Sequence, residues 1–382
     1  MNYVEILLWV SMGLVFYTYV GYPILLRLLP QHAETYKDSF DGRDQPIVTL
    51  IIAAYNEEAF IGDKIQNSLN VDDEGFDFRI VVVSDGSEDR TNEIASTFVD
   101  ERLTFIPLQP RGGKANALNA ALEIVDGDFV VFTDANVFLE PAAIQQLLNR
   151  YIEAHVGVVT GCVELQAFDD EEPLGEGAYM QYERWLQLAE SKYWSVAGVD
   201  GALFAIRREL VNEIPKDTVL DDFLIGVRAA LGRARIVYEP NAKALEKVPA
   251  EVSQEFRRKT RIAAGCFQFL NRIKMADFLA SPRKFQFAFF SHKLLRWYVP
   301  FLLILVFVLS ALLIGQPFYT ALLVIQLIAY GLAAMAHYIP SLRGVIVFYI
   351  PYYFAAMNCA LLVGWWRQKR SGQSVTWKRV DR

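Results

Sequence analysis

Four aspartates stand at positions where this chain could do chemistry. The apolar run Phe129 to Phe132 stops abruptly at Asp134 and Asn136, and a second run, Phe78 to Ser84, stops at Asp85. Asp221 and Asp222 are adjacent and open an apolar stretch, while Lys114 follows Gly112-Gly113. A short apolar run bounded by polar residues reads as a strand buried on both faces. In open α/β folds, ligands bind beyond the carboxyl ends of such strands. A carboxylate such as Asp134 at that edge is suited to hold a divalent cation on a phosphate or diphosphate. Structural uses compete with this. Asp134 would also suit a turn ahead of a helix at Pro141. Asp221 and Asp222 would also suit a helix start, where free N–H groups and the dipole favour acids.

The elements that must position these residues alternate in type. Ile47 to Ala54 reads as a strand, and Tyr55-Asn-Glu-Glu58 opens an amphipathic helix through Leu69. Strands are expected over 78–84, 103–107, 127–136 and 156–164, with helices after Asp85, over 115–125 and over 176–194. The segment 198–207 is short and glycine-bearing, and Ile236 to Glu239 is expected to close the sheet. This alternation specifies an α/β fold with a mostly parallel sheet and helices on both faces.

Composition sets the surroundings. The chain is 53% hydrophobic and 21% charged, with a mean hydropathy of +0.21, too apolar for an ordinary soluble enzyme. The apolar residues concentrate at the two ends. Ile6 to Leu29 reads as a membrane anchor rather than a signal peptide, since it lacks a basic leader and an Ala-x-Ala site. Residues 31–45 form a polar linker, 46–250 a catalytic-type domain, and 251–296 basic amphipathic helices of the kind that lie on a membrane face. Apolar segments over 297–313, 319–338 and 345–366 follow, then a basic tail, 367–382. The positive-inside rule puts both basic regions in the cytoplasm, which three spans between them do not satisfy. The segment Val345–Trp366, interrupted by Pro351 and Asn358, is the candidate for a re-entrant hairpin; a tail on the outer face is the alternative. The net charge of −7 argues against nucleic acid as a partner. Cys162, Cys266 and Cys359 are scattered singly, as are the four histidines, so neither residue type suggests a metal site.

Taken in order, the motifs resemble family 2 glycosyltransferases, in particular the membrane-integrated synthases of the cellulose, hyaluronan and poly-N-acetylglucosamine type. The matching pieces are Ala53-Ala-Tyr-Asn-Glu-Glu58, Ser84-Asp-Gly-Ser87, Gly113-Lys-Ala-Asn-Ala-Leu-Asn119, Thr133-Asp-Ala-Asn136, Val199-Asp-Gly-Ala202, Leu220-Asp-Asp222 and Arg258-Lys-Thr-Arg-Ile262. The resemblance implies a GT-A-like domain that takes a UDP-sugar, with Mg²⁺ or Mn²⁺, to a saccharide or lipid-linked acceptor at the bilayer. It assigns Asp85 to the uracil and ribose, and Ala53, Tyr55 and Glu57 to the segment closing over the base. Lys114, Arg258 and Arg261 fall on the nucleotide and diphosphate, Asp134 and Asn136 on the metal, and Asp200, Gly201 and Ala202 against the acceptor. Asp222, with Asp221 in place of the family's glutamate, becomes the general base. Two departures stand out: Asn136 replaces the second carboxylate of Asp-x-Asp, and Ile262 replaces the tryptophan of Gln-x-x-Arg-Trp. The second departure favours single addition, and the three C-terminal apolar segments favour a processive synthase with its own translocation path. A nucleotide-binding transport or scaffold module is the reading from another class. The absence of Lys and Glu from the C-terminal apolar segments argues against a self-contained carrier. No Gly-x-Gly-x-x-Gly follows the first strand, which argues against a nicotinamide enzyme.

Overall fold

The computed structural model describes residues 2–33, 45–153, 155–167, 176–248 and 252–370. Most of the expected linker, and residues 371–382 of the basic tail, lie outside the described residues. The strands are β1 (Ile47–Ala54), β2 (Asp77–Asp85), β3 (Leu103–Leu108), β4 (Phe129–Asp134), β5 (Val137–Leu139), β6 (Val156–Ala167), β7 (Leu203–Arg207) and β8 (Arg235–Val248). They form one sheet in the order β3-β2-β1-β4-β7-β6-β8-β5. β1, β2, β3 and β4 pair in parallel, whereas β7 runs antiparallel to both β4 and β6.

Both faces of the sheet are covered, which is why its central strands are apolar at most positions, with no polar alternation. Ile51, Val81, Val83, Val130 and Phe132 pack on one side with Leu118, Phe223 and Phe267. Leu50, Ile52, Ile80, Val82 and Val131 pack on the other with Ile61, Ile65 and Leu147. Two expectations are corrected here. The strand placed at 236–239 runs on to Val248 and lies inside the sheet, and the edge belongs to β5, which pairs antiparallel with β8. A three-residue strand carries too few residues for a period-2 signal.

Helices long and apolar enough to cross a membrane cover Tyr3–Leu28, Arg283–Leu312, Pro317–Tyr338 and Ile346–Arg370. Ile346–Arg370 does not break where a hairpin was expected. Pro351 lies near the helix start, and the Asn358 side chain donates to the Phe354 carbonyl of the same helix at 2.8 Å. That helix rests on the basic helix Val252–Arg272, and a Cβ at Gly364 would collide with Ala263.

A buried polar cluster joins the membrane helices to the catalytic-type domain. Glu190, on the helix Glu176–Tyr193, accepts from the Tyr22 hydroxyl at 2.8 Å and from the Ala197 N–H at 3.1 Å, and faces His292 Nδ1 at 2.8 Å. Glu183, about two turns earlier on the same helix, pairs with Arg296 and lies 3.2 Å from His292 Nε2. The sequence shows these groups only as dispersed residues.

Candidate active site

Register decides which residues meet. Ala53 on β1 lies opposite both Val83 and Asp134, so the carboxyl ends of β1, β2 and β4 finish together at one edge. β7 then runs back beside β4, with Leu203 opposite Thr133, so the segment Asp200–Ala202 arrives at the same edge. An antiparallel strand therefore sets Asp200–Ala202 beside Asp134.

Lys114 is the pivot of the cluster. Its Nζ donates to Asp134 Oδ1 at 2.7 Å and lies 3.5 Å from Asp221 Oδ2. Burial works against its charge, but Asp134, Asp221 and Asp222 together hold its pKa above the ordinary lysine value. Asp221 and Asp222 occupy the first turn of the helix Asp221–Leu231. Burial pushes the Asp222 carboxyl up to about 7, with the Asp221 charge adding to it and Lys114 opposing. A carboxylate with such a pKa suits a general base working near neutral pH. Asp222 rests on the backbone of Gly201, where any Cβ would overlap its carboxylate. Asp200 is tied down by its N–H to Thr160 Oγ1 at 3.0 Å and by its own Oδ1, which accepts from the Ala202 N–H at 3.2 Å.

Asp85 has a structural task that its motif does not reveal. It is buried, and its two oxygens accept the Gly112 N–H at 2.8 Å and the Gly113 N–H at 2.7 Å. Gly86 adopts φ +69, and a Cβ there would press on the Arg111 backbone, so the two loops approach closely only as glycine. Arg111 in turn stacks its guanidinium 3.4 Å from the centre of the Tyr55 ring. Asp85 thus shapes the loop that delivers Lys114. Glu57 belongs to the same edge, its N–H donating to Thr91 Oγ1 at 2.8 Å.

The turn carrying Asp134 is held from beneath by residues that sequence reasoning missed. Lys64 is fully buried; its Nζ donates to the Val137 carbonyl and, at 3.3 Å, to Thr133 Oγ1. Burial lowers its pKa to about 7, against the pull of Asp134. Asn67, one turn on, brackets Leu139 with bonds of 2.9 and 2.8 Å to its carbonyl and N–H. The available signal was a lysine on the apolar face of the helix Ile61–Leu69, among Ile61, Ile65 and Ser68. Asn136, expected beside the metal, is buried and turns its amide to the Lys247 carbonyl at 3.1 Å. Arg258 lies half-buried with Nη1 3.9 Å from Glu246 Oε1 on β8, opposite Val137. Arg261 is on the same helix one turn before Gly265, which abuts Leu220 and Val219 ahead of the paired aspartates. Ile262 packs into the core.

Among the described residues, no three His, Cys, Asp or Glu side chains converge to hold a metal by themselves. Asp134 nonetheless fits one. Mg²⁺ and Mn²⁺ are often held by one or two carboxylates with substrate phosphates and water completing the shell, and the excess of Asp134, Asp200, Asp221 and Asp222 over Lys114 favours a cation.

The profile described as glycosyl transferase family 2 matches residues 49–215, and that described as glycosyl transferase family group 2 matches 181–367. Together they cover the strand-end cluster and nearly all of the three C-terminal apolar helices. The chain belongs to glycosyltransferase family 2. Within it, the poly-beta-1,6-N-acetyl-D-glucosamine synthase of Staphylococcus aureus strain COL is 25% identical over 248 residues, 63% of this chain and 58% of the relative. The Staphylococcus epidermidis protein of the same name is 23% identical over 233 residues, 59% and 56% of the two chains. The matched region thus spans less than two thirds of these relatives. In fold, the chain resembles a mannosyltransferase, PcManGT from Pyrobaculum calidifontis, solved with GDP-Man and Mn²⁺. The TM-score is 0.70 at 23% identity, covering 96% of this chain and all of the other. The GT-A-like sheet and the helices around it are therefore shared across that length.

Proposed function

We propose that this family 2 glycosyltransferase moves one sugar from a UDP-sugar to the hydroxyl of a saccharide or lipid-linked acceptor, with inversion, at the cytoplasmic face of a membrane. The observation that carries the reading is the position of Asp222, packed on Gly201 and next in sequence to Asp221, which Lys114 bridges to Asp134. In a single displacement, Asp222 takes the acceptor hydroxyl proton as that oxygen bonds to the anomeric carbon and the bond to the diphosphate breaks. Lys114, Arg258 and Arg261 offset charge on the leaving diphosphate. Asp134 and the diphosphate oxygens would hold Mg²⁺ or Mn²⁺, whose charge serves the same end. Tyr55 and Arg111 flank the loops where the base would lie. The relatives' printed name supports an N-acetylhexosamine donor, and Ile262 in place of tryptophan supports single addition over processive synthesis.

A panel of UDP- and GDP-sugars tests this, with nucleotide release and radiolabelled product size as readouts. Release of UDP from one UDP-sugar and a single-addition product are expected. Turnover confined to GDP-sugars would overturn the uridine-donor assignment, a product ladder would establish processivity, and no release from any donor would sink the proposal.

The basic helices around Lys274 are placed in the cytoplasm because nucleotide-sugars are supplied there and the positive-inside rule agrees. In a background with the exposed Cys359 changed to Ser, Lys274→Cys should resist an impermeant maleimide in intact cells and react after permeabilisation. Labelling of intact cells would invert the topology.

A further inference from the structure

We propose that Lys293 seats the phosphate of a lipid-linked acceptor beside Asp222, an assignment that rests on the transferase reading above. Lys293 lies on the π-helical turn Phe289–Leu294, within the long apolar helix Arg283–Leu312 where it leaves the catalytic domain. Its neighbours on that helix are occupied: His292 is held between Glu183 and Glu190, and Arg296 by Glu183. Lys293 is half-buried and, among the described residues, makes no ion pair at contact distance, although its charge reaches Glu183 and helps to lower that carboxyl.

Its position is defined from several sides. The Lys293 Cε lies 3.7 Å from where a Cβ of Gly198 would stand, two residues before Asp200, and the Phe223 ring abuts that same point. Trp297, one turn further along, meets Phe223 edge-on at 5.7 Å, docking this turn against the helix that carries Asp222. The buried Cys266 thiol feels both charges. Burial pushes it up to about 12, while Lys293 pulls it down and Asp222 pushes it further up.

In this proposal, an acceptor that offers a hydroxyl to Asp222 while its tail remains in the bilayer runs past the turn that carries Lys293. Asp200, Asp221 and Asp222 cluster at this strand edge and repel an anion unless a cation meets it. A neutral glycan needs no such cation. An ammonium with three donors on a flexible stem is suited to a phosphate. The same chemistry could come from a prenyl carrier phosphate or from an anionic lipid headgroup, and the proposal commits to the carrier.

The test uses the full chain in phosphatidylcholine nanodiscs, titrated with farnesyl monophosphate, farnesol or phosphatidylglycerol, alongside UDP. Farnesyl monophosphate should bind about tenfold or more tighter than farnesol, as expected for one charge-assisted contact. Lys293→Gln should erase that preference, Lys293→Arg should retain it, and UDP affinity should not change in either variant. Equal binding of phosphate and alcohol, or a preference that survives Lys293→Gln, would overturn the proposal. Displacement of farnesyl monophosphate by equimolar phosphatidylglycerol would also overturn it, by showing a general headgroup site. Failure of the unaltered protein to bind UDP would count against the transferase reading, and the phosphate-to-alcohol comparison would still judge Lys293.

Discussion

Asp222→Asn should lose about 10²- to 10⁴-fold in kcat while UDP-sugar binds as before, because a general base contributes in the transition state. The side chain keeps its size on Gly201 and loses only its basicity. The pH profile supplies a second readout. Burial and Asp221 raise the Asp222 carboxyl to about 7, and the base is the deprotonated form. Wild-type kcat should therefore rise with pH through about 7 and be lost below it, and Asp222→Asn should lack that limb. The sign for stability is opposite. A raised carboxyl pKa means that the fold retains a proton which the unfolded chain has already released, so stability falls as pH rises from about 4 toward 7. Asp222→Asn removes that penalty and should melt no lower than wild type above pH 7, which separates lost chemistry from lost folding. If Asp222 only caps its helix, the substitution should be nearly silent, since Asn caps about as well as Asp. Turnover near wild type would exclude the base, and lost UDP binding would move Asp222 into the donor site.

Asp134→Ala should abolish turnover, and excess chelator should do the same to the unaltered protein. Without a second converging carboxylate, metal should bind measurably only together with UDP, and Asp134→Ala should remove that UDP-dependent binding in calorimetry. Full turnover in chelator would refute the metal, and metal binding that survives Asp134→Ala would refute its position. The neighbouring Asn136→Asp should not tighten metal binding. Asn136 donates to the Lys247 carbonyl, and replacing that buried donor with an acceptor should cost about 1–3 kcal/mol of stability.

The sequence alone determined the sheet's parallel core and the identity of most acidic groups. The runs at 47–54, 78–84 and 129–132 are buried on both faces, and that demand leaves no polar alternation to misread. It also determined the apolar ends of the chain, because a span needs only length and hydropathy. Tertiary structure decided what each group faces. Asp85 and Asn136 sit in motifs that suggest ligand contact, yet both hold backbone, since a loop 27 residues away and strand β8, 111 residues away, come to them. Lys64, Glu190 and His292 are isolated symbols in the chain and acquire meaning only from partners brought by packing. β5 and the antiparallel return of β7 were equally hidden. Short strands carry little periodicity, and strand direction depends on connections across the whole domain rather than on the residues within the strand.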